Sequence, residues 1–240
     1  MAAAPAGFRR IALFGVLAGM CPWIPLPGVD DWALRVVRRR MVRDLLGESG
    51  AVVNGDRLSV LTGTEFRLDS GCLRWLFLWP VFKLIGYVFR KLLRKFLFLL
   101  TLHDSVNRSS EVLQEGVLIA RAGQLGALAG DLDGLRRVRS VVEQTMNDLD
   151  PQPVRQAIRR AYAGSRRLLR RGAVLLRRAL RRRPRDEAEE AVPLAEEEVL
   201  TASLVDRLVF LLWRERAYFD ALTARFDERM KGPANGGDVL

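Results

Sequence analysis

The 240-residue sequence predicts an all-α protein, with a membrane-associated helical domain followed by a long antiparallel helical hairpin. Three observations carry that expectation. Between Asp30 and Leu46, the residues Leu34, Val37, Met41 and Leu45 fall on one helical face, and Arg35, Arg39 and Arg43 on another. From Val154 to Ala179, apolar and small residues recur by fours and threes: Val154, Ile158, Ala161, Ser165, Leu168, Gly172, Leu175 and Ala179. Such a narrow seam suits one partner helix. Near the end, Leu204, Leu208, Leu211, Tyr218, Leu222 and Phe226 line the inner face of a last helix. The composition fits a folded chain. With 49% hydrophobic and 28% charged residues and a mean hydropathy near zero, it excludes a disordered tail, a collagen-like repeat, a disulfide mini-scaffold and a polytopic membrane protein.

The first helix is expected over residues 8–21, stopped by Pro22. Phe8-Arg9-Arg10 and the uncharged run Ile11–Val29 resemble the start of a secretory signal. No small-x-small cleavage site follows, however, and Pro22, Pro25 and Pro27 break the run. Met20 also stands where a lipoprotein signal has a small residue before its Cys. From Ile11 to Cys21 the helix is roughly 16 Å long against a bilayer core of about 30 Å. A short buried or membrane-dipping helix is the reading. Trp23 to Gly28 should be extended, because residues before Pro avoid the α region. Asp30 reads as an N-cap and Asp31 as a first-turn acid, for a helix that Gly47 and Gly50 end. Residues 47–71 admit two readings, a hairpin turning at Val53-Asn54-Gly55-Asp56 or a short helix starting at Asp56.

Residues 72–102 carry the strongest functional signal. On a helical wheel Lys83, Arg90, Lys91, Arg94 and Lys95 share one arc, and Ile85, Val88, Phe89, Leu92, Leu93, Phe96, Leu99 and Leu100 fill the opposite side. Three of the four lysines lie here, and no acid interrupts residues 70–103. An interfacial helix buries such an aromatic–aliphatic face in the acyl boundary and sets its cations against anionic headgroups. Trp75 and Trp79 suit the same interface. The membrane-binding set is therefore Trp75, Trp79, Lys83, Phe89, Arg90, Lys91, Arg94, Lys95 and Phe96. An amphipathic core helix is the competing reading. A full span is easiest over about 73–89, with Arg74 at one end and only Lys83 inside.

Two further helices are expected over about 106–129 and 134–148, the first rich in small residues that permit close packing. Asp150-Pro151 opens a helix running unbroken to about Arg183, and the last helix runs from about Ala195 to Met230. This places a membrane-associated domain at 1–148, a basic/acidic hairpin at 150–230 and a disordered tail at 231–240.

The charge of +11 comes from 35 Arg and only 4 Lys, and it is unevenly placed. Residues 151–185 hold 13 Arg and no acid, while residues 186–198 hold 7 acids and no base. The helix at 154–183 offers Arg159, Arg166, Arg170 and Arg177 to phosphate. It has no aromatic interleaving for base stacking. Three readings stand: a face solvated or paired with the acidic connector, lipid headgroups, or nucleic acid.

No reaction is recognisable. Cys21 and Cys72 form no metal spacing and suit a reducing compartment. A single His103 argues against a His-based metal site. His103-Asp104-Ser105 has the letters of a catalytic triad, but adjacent residues do not take up its geometry. It reads as a helix-boundary turn. No phosphate-binding G-x-x-x-x-G-K-[ST] motif is present.

Ile24-Pro25-Leu26-Pro27-Gly28-Val29-Asp30, with Met41 and then Gly50, resembles the helical domain of unknown function of YcjF-type bacterial inner-membrane proteins. The likeness covers residues 24–50. Arg38, Arg39 and Arg40 stand where that family tends to show Gln and apolar residues. The resemblance implies association with the cytoplasmic membrane and no activity. The sequence thus leads to a non-enzymatic, membrane-associated adaptor or scaffold at the cytoplasmic face of the inner membrane. It has no cofactor and no metal. Its partners are anionic lipid and an unknown protein partner or a further copy of itself. The alternative is a nucleic-acid-binding protein that uses the Arg-rich helix.

Overall fold

The computed structural model describes residues 6–24, 28–63, 93–181 and 199–232, and among them the regular structure is entirely helical. In chain order the helices are α1 (Ala6–Met20), α2 (Val29–Glu48), α3 (Gly55–Thr62) and α4 (Leu93–Gln124). They continue with α5 (Leu132–Asp148), α6 (Gln152–Tyr162), α7 (Arg166–Arg181), α8 (Val199–Arg214) and α9 (Arg216–Lys231). Short 3-10 turns follow α1 at Cys21–Trp23 and α4 at Ala127–Ala129.

The axis of the fold is the pair α1 and α4. From Phe8 to Cys21, α1 is buried except at Arg9, Arg10 and the half-buried Leu13. A helix apolar all round belongs inside a core. It runs antiparallel to α4, with Ile11 against Gly116, Gly15 against Leu113, and Gly19 against Ser109. The missing side chains let the two backbones approach. A Cβ on Gly15 would sit 2.7 Å from Leu113 Cγ, and one on Gly116 would sit 2.7 Å from Ile11 Cγ2. The close packing expected of the small residues after 105 is thus realised at Gly116.

α2 runs along α4 in the same direction. Arg108 of α4 pairs with Asp30 and Asp31 at the start of α2. Further along, Arg38 pairs with Glu111 and Glu115. Near the end, Ser49 lies beside Gly123. On the other side, α8 packs on α1 and α6, and α9 packs on α5 and α4. Phe8 of α1 meets Trp213 and Phe219 edge-on, with ring centroids 5.8 and 5.3 Å apart. The buried apolar residues of all these helices form one contiguous core.

The structure corrects several local expectations. Trp23 belongs to a 3-10 turn that continues from α1 and is not extended, Ile24 is extended, and Pro25, Leu26 and Pro27 lie outside the described residues. Gly28, at φ +80°, is the N-cap of α2. Asp30 lies two residues further on, in the first turn, and its carboxylate accepts from the Gly28 N–H at 3.1 Å. At 47–71 the helix prevails over the hairpin where the chain is described. Asn54 Oδ1 accepts from the Arg57 N–H at 2.9 Å, and this cap starts α3. His103, Asp104 and Ser105 are no boundary turn, because α4 runs through them without interruption.

The long helix expected at 151–183 is two helices. Gly164, at φ +78°, breaks it between α6 and α7. The buried stripe of α7 is consequently Leu169, Ala173, Leu176 and Leu180, shifted by one residue from the expected Leu168, Leu175 and Ala179. The last helix is also two, parted at Glu215. Of its two pieces, α8 pairs with α6, and α9 turns away to α5 and α4.

Candidate anion-binding face

The face begins with how α7 is seated. Its buried stripe packs on α1 and on the Cys21–Trp23 turn. Gly172 admits the Met20 sulfur, which a side chain there would displace. The remaining surface of α7 points outward. Arg167, Arg170, Arg171 and Arg178 are exposed, Arg177 is half-buried at the edge, and Val174 sits among them at 48% exposure. At 100° per residue these side chains occupy roughly a third of the helix circumference. Arg159 and Arg160, in the last turn of α6, are exposed as well.

What distinguishes this face is the gathering of five guanidinium groups on one side of one helix. None of Arg159, Arg160, Arg167, Arg170, Arg171, Arg177 and Arg178 forms an ion pair among the described residues. Elsewhere several guanidinium groups are matched to carboxylates from distant parts of the chain, and others, such as Arg57 and Arg207, donate to backbone carbonyls. Arg121 makes a two-pronged contact with Asp227 at 2.9 and 2.6 Å. Arg229 pairs with Asp148 at 2.6 Å. Arg139 pairs with Glu115 and, at 2.7 Å, with Glu143. On α7 the cations stand three and four residues apart, so they repel one another by a few tenths of a kcal/mol per pair. A guanidinium stays charged at any physiological pH and presents a planar fork that fits phosphate oxygens. An approaching polyanion relieves the repulsion and gains those contacts.

The expected site residues fall differently. Arg170 lies on the face, Arg177 at its rim, and Arg159 on the neighbouring helix end. The side chain of Arg166 lies outside the described residues. Arg167, Arg171 and Arg178 were missed, because an unbroken helix turns the seam by one residue. The signal that could have located them is Gly164-Ser165, a glycine–serine break inside the repeat.

Of the membrane-binding set, Trp75, Trp79, Lys83, Phe89, Arg90 and Lys91 lie outside the described residues. So do the side chains of Arg94, Lys95 and Phe96, although the backbone there is already helical. No helix among the described residues is long and apolar enough to cross a membrane.

The other reactive residues are engaged structurally. Trp23 Nε1 donates to Ser105 Oγ at 2.9 Å, and Ser105 donates onward to the Thr101 carbonyl at 2.7 Å. Ser105 is buried while His103 and Asp104 are exposed, so the three do not converge. Cys21 is buried, its Sγ donating to the Leu17 carbonyl, and burial pushes the thiol up to about 12. Among the described residues no group of three His, Cys, Asp or Glu could hold a metal ion. No protein-family model, curated protein or solved structure matches the chain.

Proposed function

We propose that this protein is a non-enzymatic helical adaptor or scaffold that docks on anionic membrane lipid at the cytoplasmic face of the inner membrane. The single observation that carries the reading is the arginine face of α7, where five guanidinium groups gather on one side of one helix and none has an ion pair among the described residues. α7 packs at the C-terminal end of α1, which lies by Ser105 and Ser109 in the N-terminal part of α4. α4 in turn begins at Leu93, inside the cationic, Phe- and Leu-rich stretch 83–102. The arginine face therefore belongs to the same end of the α1–α4 axis as Leu93, where α4 begins. The likeness of residues 24–50 to YcjF-type inner-membrane proteins points the same way.

Nucleic acid is the second reading. It is favoured by the same face being Arg rather than Lys, since Arg pairs two-pronged with phosphate.

Flotation of the full chain with vesicles separates the two. Phosphatidylglycerol-containing vesicles are expected to carry the protein and neutral phosphatidylcholine vesicles to leave it behind. Each basic residue near an anionic surface contributes about 1 kcal/mol, so Arg170→Glu/Arg171→Glu lowers the partition coefficient by more than about tenfold. Equal partition into both vesicles, or none into either with tight, salt-steep binding to duplex DNA, overturns the membrane reading.

A further inference from the structure

The far end of the α1–α4 axis differs in character. There the loop after α2 and the loop after α4 lie side by side, clipped by Arg57. Its guanidinium Nη1 donates to the Val52 carbonyl at 3.4 Å and to the Leu128 carbonyl at 3.5 Å. Nη2 donates to Ala129 at 3.4 Å and also to Gly130. Around this clip the chain exposes Val52 (73%), Val53 (40%), Leu125 (46%) and Leu132 (37%). These are four of the seven exposed large hydrophobics among the described residues. Apolar side chains scattered singly need no explanation, but a group of them marks an interaction surface.

The charge around the group is the reverse of the chain's net +11. Glu48, Asp56, Asp131 and Asp133 are exposed there, against the exposed Arg10 and Arg136 and the half-buried Arg57. Glu48 is paired with Arg10, and Asp133 with Arg136. Asp56 and Asp131 make no ion pair among the described residues. One molecule thus carries two complementary surfaces on different parts of its axis. The first is an acid-lined apolar end. The second is an arginine face with an exposed valine, Val174, in its middle.

We infer that the occupant of the acid-lined end is the α7 face of a second copy of this chain. Because the two surfaces are different and lie apart on the molecule, the contact is head-to-tail, and repeated contacts build rings or open chains. Opposite charge steers the copies into register, and the apolar side chains at both centres are removed from water. The small patch on each side places the contact in the weak, salt-sensitive class. This assembly goes beyond membrane docking and is assayed without lipid, so its failure leaves the vesicle result untouched.

Sedimentation velocity of the full chain tests it. The weight-average sedimentation coefficient is expected to rise with protein concentration at low ionic strength and to fall back on adding salt. Val52→Ser/Leu125→Ser removes the receiving end, and Arg170→Glu/Arg171→Glu removes the inserted face. Each variant alone should stay monomeric. Mixed in equal amounts, the pair retains one good end of each kind and should form a dimer and nothing larger. All four positions are exposed in the monomer, and Val53→Ser/Leu132→Ser is a second receiving-end variant should the first lose helix content. A wild-type chain that remains monomeric at every concentration overturns the inference. So does a mixture that stays monomeric while the wild type associates, because that identifies a like-with-like interface.

Discussion

The hydroxyl of Tyr162, on α6, meets the hydroxyl of Ser109, on α4, in the space left by the absent side chain of Gly19 on α1. Ser109 gives its one proton to the Gly15 carbonyl, so Tyr162 is the donor to Ser109. All four residues are buried. The contact keys three helices to one another and satisfies polar groups that would otherwise be stranded in the core. Gly19→Ala places a methyl against both oxygens and should destabilise the fold by about 1–3 kcal/mol. Gly47→Ala, in α2 with open space around it, should stabilise it by about 0.5–1 kcal/mol. Denaturant titrations of the two variants decide the point, and shifts in the same direction would refute the packing account.

Glu115 is the buried carboxylate of a charge cluster, its side chain 3% exposed between Arg38 and Arg139. Arg139 also donates to the Leu61 carbonyl at 2.9 Å, which ties α3 to α5. Glu115→Gln keeps the shape but removes the buried one of the two carboxylates that each of Arg38 and Arg139 contacts, leaving them Glu111 and Glu143. The expected loss is about 1–3 kcal/mol, the range for a charge-assisted hydrogen bond removed from a buried group. A loss below about 0.5 kcal/mol, the range of exposed pairs, would show that water screens the cluster.

Arg57 holds the two loops of the apolar end together through carbonyl groups rather than through a carboxylate. Arg57→Ala should raise amide exchange at 49–54 and 125–132 while leaving α1 and α4 protected, since those carbonyls lie outside the main core. The same variant should weaken the concentration dependence of sedimentation. Exchange unchanged in both loops would show that the clip is not what orders them.

Three acidic hydrogens are held in place by burial. Desolvation pushes Cys21 and Tyr218 up to about 12 and raises Tyr162 as well. The folded state therefore keeps protons that the unfolded chain releases. Stability from these groups is complete below the unfolded values, which begin with the thiol near 9.0, and it falls as pH climbs toward 12. The unfolding midpoint in denaturant should drop from about pH 9 upward, by at most about 1.4 kcal/mol per pH unit for each group. Cys21→Ala should flatten the first part of that drop. A midpoint constant up to about pH 11 would contradict the burial argument.

How far local sequence reaches is seen at particular residues. α1 was placed by Pro22 and an apolar run, and α2 by its 3.6-residue stripe. Both signals act within a few turns of chain, so no distant partner was needed to read them. α3 competes with a hairpin in the sequence because Asn54-Gly55 serves either as a two-residue turn or as a cap. The tie was broken by Leu58 and Leu61, which are buried in the shared core. At 103–105 the sequence suggested a boundary, yet packing of Ser105 under Trp23 keeps α4 helical. At Gly164 one left-handed residue shifted every later position of the seam.

Residue order by itself determined that the described chain is helical, about where α1, α2 and α5 begin and end, and that its positive charge is concentrated in one segment. Helix periodicity, caps and composition are short-range properties and survive in a single strand of text. Which arginines are left without a carboxylate among the described residues was decided only by tertiary structure. Arg121 and Asp227, or Arg38 and Glu115, are far apart in sequence and meet because α4 collects helices from both halves of the chain around it. The arginine face is defined by those distant pairings, and the acid-lined apolar end by two loops that only folding brings together.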